Sequence, residues 1–293
     1  MNKSKLPLVS IVIPCYNHAR FVQETIQSVI DQDYENIELI IIDDGSKDNS
    51  VEVIQEMIPA CEERFVRFEF RYRSNKGLCA TLNEALEWCE GEYLSCIASD
   101  DIMRPDKTSY QVSYLNANKN TIGVFGGVDI LDDATGRVSS SLKKFRKNNF
   151  NDIFTYKHHL PAPTQMLRLA AVKSVGGYRE DLIIEDWSMW LFLTENGGTL
   201  DYLKRVFAKY RRHSGNLSGR FESMSKGRMQ VLSLFKDKGN YRKACSMAIM
   251  VDAHDAQTVS KIRAFKISLN ALSAYPLTLF SKSFVWLFFK MIR

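Results

Sequence analysis

The sequence predicts an α/β fold with a mostly parallel central sheet flanked by helices, followed by a C-terminal helical extension. Three observations predict it. Up to about residue 100, short β-branched runs alternate with amphipathic stretches. Acidic residues stand where those runs end, the edge at which a parallel sheet opens its ligand crevice. From Arg220 onward the pattern is helical throughout.

The elements follow in order. Leu8 to Ile13 is a β-branched run ending at Pro14, and Phe21, Thr25, Ile26, Val29 and Ile30 share one face of a helix. Ile37 to Ile42 is apolar without alternation, as in a strand buried on both faces, and Asp43-Asp-Gly-Ser46 breaks it. Asp48, Asn49 or Ser50 caps the next helix, which carries Val51, Ile54 and Ile58. A strand near Phe65 to Tyr72, a helix over Leu78 to Trp88 and a strand over Tyr93 to Ile97 complete the repeat. Beyond Asp101 the sequence predicts a helix over Pro105 to Asn116 and a strand pair over about Ile122 to Leu131. A mobile polar loop with Lys143, Lys144, Arg146 and Lys147 follows, then a strand before Arg168, a helix over Trp187 to Thr194 and a strand ending near Tyr210. A catalytic domain over 1–219 and a helical region over 220–293 are the expected division.

Bulk composition narrows the class. A chain of 293 residues with 45% hydrophobic and 25% charged side chains is neither disordered nor fibrous. Its net charge of +5 suits an anionic ligand or a membrane surface without calling for nucleic acid. The six cysteines lack the close pairing of zinc or redox sites and read as reduced thiols. Met1-Asn-Lys-Ser-Lys5 is basic, but the apolar run after it is short, ends at Pro14 and has no small-residue cleavage pattern, so a first strand and a cytoplasmic location are expected. At 275–293, Phe284, Val285, Trp286, Leu287, Phe288 and Phe289 stand between Lys282 and Lys290. That run falls short of the ~20 apolar residues of a spanning helix. It reads equally as an interfacial helix, peripheral on the cytoplasmic face of a membrane, or as a core-packing helix.

Three acidic pairs carry the chemistry. Asp43-Asp44 ends the second strand, where a carboxylate can accept the N3–H of a pyrimidine base, although Asp-Gly is also ordinary turn chemistry. Asp100-Asp101 follows Tyr93 to Ile97 and can hold a divalent cation against diphosphate oxygens, or act as an acidic helix N-terminus. Glu185-Asp186 opens a helix beside Trp187 and Trp190; apolar surroundings can raise one carboxyl into the range of a general base, while capping accounts for the pair as well. Among the basic groups, Arg71, Arg73 and Lys76 flank Asn75-Lys76-Gly77, and a helix starting beyond that glycine can present backbone N–H groups to a phosphate. Tyr210-Arg211-Arg212-His213 can close over a diphosphate, with the imidazole as phosphate donor or metal ligand.

Together the segments resemble glycosyltransferase family 2, whose enzymes have the GT-A fold. The resemblance runs from Val9-Ser-Ile-Val-Ile-Pro-Cys-Tyr-Asn17 through Ile41-Ile-Asp-Asp-Gly-Ser46, Asn75-Lys-Gly77, Gly91-Glu-Tyr93 and Ser99-Asp-Asp101 with Pro105. It continues through Val175-Gly-Gly-Tyr178, Glu185-Asp186 and Tyr210-Arg-Arg-His213, leaving the final helices unaccounted for. It implies an inverting, metal-dependent transfer of a sugar from a nucleotide-sugar, a UDP-sugar, to a saccharide acceptor that is lipid-linked in some members, in bacterial surface polysaccharide (O-antigen or capsule) synthesis. By the same resemblance Pro14, Tyr16, Asn17, Asp44, Arg73, Asn75, Lys76, Gly77, Asp100 and Arg212 line the donor. Asp101 and His213 bind Mn2+ or Mg2+, Asp186 is the catalytic base and Glu185 its companion.

Departures from the pattern bear on the details. Ser-Asp-Asp replaces a strict Asp-X-Asp, and no Gln-X-X-Arg-Trp of processive members follows Glu185-Asp186. Gln165-Met-Leu-Arg168 precedes that pair and lacks the tryptophan, so one sugar per encounter is expected. A dinucleotide oxidoreductase or a P-loop phosphotransferase would need a glycine-rich first turn, and this chain has Pro14-Cys-Tyr-Asn-His-Ala19 there. A non-catalytic relative that binds nucleotide-sugar or carbohydrate is the remaining alternative.

Overall fold

The computed structural model describes residues 6–216 and 219–292; the basic Met1–Lys5 start lies outside the described residues. The chain forms two compact units. The first comprises the residues up to Asn149, His159–Glu180 and Phe192–His213. The second comprises Phe150–His158, Asp181–Leu191 and the residues from Ser214.

In the first unit the repeated strand-helix pattern becomes β1 (Val9–Cys15), α1 (Val22–Ile30), β2 (Ile37–Asp43), α2 (Ser50–Arg64), β3 (Arg67–Tyr72), α3 (Leu78–Trp88) and β4 (Tyr93–Cys96). These strands are parallel in the spatial order β3-β2-β1-β4, with Val9 opposite both Ile37 and Tyr93. β-branched side chains fill both faces of β1 and β2. Ile11, Ile13, Leu39 and Ile41 are fully buried, each stabilising the fold by roughly 1.5–3 kcal/mol relative to exposure. Glu38 is equally buried within β2, and its charge is met by Ser10 Oγ (2.6 Å), the Arg67 guanidinium (2.5 Å) and the N–H groups of Glu90 and Gly91. Gly91 is required there, since a Cβ would lie 2.7 Å from the backbone nitrogen of Ser10.

The rest of the sheet uses later strands: β5 (Ile102–Met103), β6 (Thr121–Asp132), β7 (Val138–Ser141), β8 (Arg146–Asn148), β9 (Met166–Arg168) and β10 (Thr199–Arg212), with α4 (Lys107–Ala117) after β5. β9 lies antiparallel between β4 and β6, and β10 runs parallel to β6. Two expectations are corrected here. The strand pair over 122–131 is one long strand, because Gly126 and Gly127 keep extended backbone against Phe207 and Ser141 instead of turning. The basic stretch expected as a mobile loop contains β8, which pairs with Leu200–Tyr202 of β10; Arg146 and Lys147 are exposed there, and the Lys147 ammonium lies 3.9 Å from the Asp201 carboxylate.

The second unit contains α5 (Phe150–Phe154), the start of a helix that follows α6 (Leu169–Ser174) of the first unit, namely α7 (Glu185–Glu195), and then α8 (Phe221–Ser233), α9 (Tyr241–Gln257), α10 (Lys261–Ala274) and α11 (Lys282–Ile292). The division therefore does not follow one cut near residue 219. Phe150 and Phe154 pack on Phe235 with ring centroids 5.5 and 5.8 Å apart, and Gly227 lets α8 approach Ile183 and Ile184. These apolar contacts draw two early segments to the C-terminal helices.

Candidate active site

The carboxyl ends of β1 and β2 are tied together by short polar bonds. Asn17 takes a left-handed conformation (φ 56°), which asparagine tolerates better than most residues. Its Oδ1 accepts the Lys47 N–H (2.6 Å), and its own N–H donates to Ser46 Oγ (2.7 Å). The next N–H groups continue the lacing: His18 donates to Ser50 Oγ (2.9 Å) and Ala19 to Asp48 (3.0 Å). Pro14 is half-buried in β1, and Tyr16 and Asn17 are exposed at this edge.

Asp43 and Asp44 divide their labour. Asp43 accepts the N–H groups of Gly45 (3.1 Å) and Ser46 (2.8 Å) and so shapes the turn. Asp44 pairs with Arg73 and accepts the N–H groups of Lys76 (2.8 Å) and Gly77 (2.9 Å), while Asn75 donates to its carbonyl (2.8 Å). The Asp44 carboxylate thus takes the N–H groups of Lys76 and Gly77, and the helix whose N–H groups are expected to face a phosphate, α3, begins after them at Leu78. Arg73 is likewise committed to Asp44 and Glu84. The Asp44 carboxylate keeps about one of its roughly four acceptor positions.

The Asp100-Asp101 pair follows β4, and the two side chains turn opposite ways. Asp101 is buried, its Oδ1 accepting the Arg211 N–H (2.9 Å), and burial together with the Asp100 charge pushes its carboxyl well above the usual range. Asp100 Oδ2 lies 2.8 Å from His213 Nε2 and 4.0 Å from His18 Nε2. One ligand atom from each of His18, Asp100 and His213 falls within 4.8 Å of the others, and this is the group of metal-ligand type found among the described residues. Asp101, expected as the direct ligand, lies outside this group because its carboxylate turns inward to accept the Arg211 backbone N–H, and Asp100, expected at the donor, lies in it. His213, expected as a ligand, lies in the group as well. His18 enters without having been singled out in the sequence, although a histidine just past the end of the central strand was a signal available to be used.

The ring environment suits ligation. His18 Nδ1 meets Ser99 Oγ at 2.7 Å, which leaves Nε2 as the atom directed at Asp100. Burial lowers the His18 imidazole below its ordinary value, favouring the neutral form a metal requires. Phe21 packs on the His213 ring at 4.8 Å, and Arg211, stacked on Phe21 at 4.9 Å, donates Nε–H to the Asp100 carbonyl (3.0 Å). In the expected basic lid, then, Arg211 is internal structure and Arg212 is exposed at the end of β10.

Glu185 and Asp186 lie in the second unit, in the first turn of α7. Asp186 Oδ1 accepts the Trp187 N–H (2.5 Å), and the Trp187 indole donates to the Ile153 carbonyl (3.3 Å). The Tyr156 ring packs on Trp187 at 4.6 Å. Burial raises both carboxyls, and the charge of Asp186 raises Glu185 further.

A sequence model described as Glycosyl transferase family 2 matches residues 10–176, more than half of the chain. The chain belongs to glycosyl transferase family 2. A relative in Rickettsia felis, an uncharacterized glycosyltransferase, is 39% identical over 71% of this chain, which spans 35% of that relative. A poly-beta-1,6-N-acetyl-D-glucosamine synthase of Staphylococcus epidermidis is 27% identical over 63% of the chain and 46% of the synthase. In fold, this family 2 chain is similar to Staphylococcus aureus TarS 1–349 in complex with UDP-GlcNAc (TM-score 0.64, 16% identity, 92% of this chain and 81% of that one). It is equally similar to the mannosyltransferase PcManGT of Pyrobaculum calidifontis in complex with GDP-Man and Mn2+ (TM-score 0.64, 15% identity, 99% and 86%). The GT-A architecture expected from the motifs is the architecture these structures share.

Proposed function

We propose that the chain moves one sugar from a nucleotide-sugar, of the UDP type, to a saccharide acceptor, inverting the anomeric centre and using a divalent cation. The observation that carries the reading is the His18-Asp100-His213 group at the carboxyl edge of the sheet, in a chain of this family. Two imidazoles and one carboxylate favour Mn2+ over Mg2+, which prefers an all-oxygen shell. When bound, the cation supplies charge neutralisation on the departing nucleoside diphosphate.

The chain's own residues do the rest. Asp44 offers its remaining acceptor position to the N3–H of a pyrimidine, and Tyr16 and Asn17 border the base. Asp186 takes the proton of the acceptor hydroxyl as that oxygen attacks the anomeric carbon in line, which inverts it without a covalent sugar–enzyme intermediate. Glu185 beside it resists a second negative charge and keeps the pair's titration high. Family membership and the Staphylococcus epidermidis relative support bacterial surface polysaccharide synthesis as the process, with O-antigen or capsule as the product class. The missing Gln-X-X-Arg-Trp supports single transfer. Six unbridged cysteines suit a cytoplasmic, reducing compartment.

Donor hydrolysis and transfer across a panel of UDP-sugars, before and after EDTA and again after adding Mn2+, test the reading. Turnover that EDTA abolishes and Mn2+ restores is the expected result. Binding of UDP-sugar without turnover under every condition would favour the non-catalytic relative.

A further inference from the structure

The C-terminal helices carry a surface that sugar transfer does not use. α11 is apolar on both sides. Phe284, Leu287 and Met291, spaced i, i+3, i+7, face a small core made with Met250, Ala253, Ala264 and Ala271, and Leu287 is 1% exposed there. The opposite side presents Val285, Trp286, Phe288 and Phe289, with Trp286 58% and Phe289 59% exposed, and Phe280 in the turn before the helix is 79% exposed. Neither sequence reading of this segment is sufficient alone, because the helix is core-packing on one side and bare on the other.

This bare side is held in place. His254 Nε2 meets Ser283 Oγ at 2.9 Å, and Ser246 Oγ meets Thr278 Oγ1 at 2.6 Å, fixing the turn and the start of α11 to α9. Phe280, Val285, Trp286 and Phe289 line an open groove of about 660 Å³ with Lys282 and Ser283. Contiguous exposed apolar surface of this kind marks an interaction site.

Charge identifies the occupant. From Thr258 to the end the chain has six basic residues and no acidic one. Lys261, Lys266, Lys282 and Lys290 are all exposed, and the Lys290 ammonium lies 5.7 Å from the Trp286 ring centre. Aromatic rings at headgroup depth with lysines reaching to phosphate are what an anionic bilayer surface accommodates. A two-fold dimer through this face would set the lysines of this stretch, which has no acidic residue of its own, against each other. The eleven residues of α11 extend about 16 Å, against ~30 Å of hydrocarbon, and no helix among the described residues is long and apolar enough to cross a membrane.

We propose that the outward side of α11, with the turn before it, lies in the headgroup layer of an anionic phospholipid membrane. The test is co-sedimentation of the full chain with vesicles of phosphatidylcholine alone and of an equimolar mixture with phosphatidylglycerol. The expected result is binding to the mixed vesicles at least about tenfold tighter than to the neutral ones, weakened by added salt. Trp286→Ser with Phe289→Ser, both at exposed positions, is expected to lower binding to mixed vesicles about tenfold with unchanged circular dichroism and melting temperature. Lys282→Glu with Lys290→Glu is expected to remove the preference for the anionic lipid. Failure of the wild-type chain to sediment with either vesicle would overturn the proposal. So would undiminished binding by the aromatic variant, or light scattering showing a dimer that the aromatic variant converts to a monomer.

Discussion

Asp100-Asp101 and Glu185-Asp186 are both adjacent carboxylates at the exit from an apolar run, yet the protein treats them in opposite ways. The first pair is split. Asp100 faces two imidazoles, and Asp101 turns inward to one backbone N–H. The second pair stays together in the first turn of α7, where burial raises both carboxyls. A carboxylate that grips a cation needs positive or ligand-type company to stay ionised, whereas one that accepts a proton needs a surrounding that makes ionisation costly. Spacing in sequence is the same in both pairs, so side-chain direction and local polarity set the difference.

The comparison breaks most visibly at the second pair. Asp186→Asn is expected to lower the transfer rate by about 10²–10⁴-fold while leaving donor affinity unchanged, measured by single-turnover transfer beside calorimetry. Unchanged turnover would remove Asp186 from the role of base. The wild-type rate should fall as pH drops through the raised carboxyl, because the base acts only when deprotonated. That acid limb should therefore lie at higher pH than an ordinary aspartate would give and be missing from the residual activity of Asp186→Asn.

At the first pair the expected contrast lies between neighbours. Asp100→Asn should weaken Mn2+ and nucleoside-diphosphate binding by at least about tenfold, the cost usual for losing even a supporting partner of a metal ligand. Asp101→Asn keeps an acceptor for the Arg211 N–H and should leave both affinities little changed. Equal losses in calorimetry would mean the two carboxylates act as one ligand.

A smaller effect tests burial itself. Lys107 is fully buried, donating to Ser95 and Gln165, and burial lowers its ammonium from 10.5 to about 7. Between those values the unfolded chain binds the proton that the folded chain has shed, so stability from this group rises with pH from about 7 towards 10 and is flat below. Urea melts at several pH values should show the rise in wild type and a shallower one in Lys107→Met.

Much of this was legible in the sequence because it is written in hydrophobic period. The helix over Leu78 to Trp88 has the ends expected of it, and the unbroken apolar run of β2 is buried along its whole length. Local pattern says little about partners chosen by tertiary packing. β8 reads as a charged loop because an edge strand tolerates polar side chains on its outer side, and its identity as a strand comes from β10, more than fifty residues away. The early segments that join the C-terminal helices do so through Phe235 and Gly227, which no periodicity in those segments reveals. At the site, the motif located the Asp100-Asp101 pair but not its directions, which Arg211 decides from the far end of the first unit. His18 went unread because one histidine in a loop has no spacing to recognise; its partners Ser99 and Asp100 are some eighty residues on.

The cation is expected on His18, Asp100 and His213. Pulsed electron paramagnetic resonance of the full chain loaded with Mn2+ and UDP measures it directly. Nitrogen couplings from two imidazoles are expected, reduced to one in His18→Gln and absent from the variant that also carries His213→Gln. A Mn2+ signal without nitrogen coupling, or one that both substitutions leave unchanged, would contradict it.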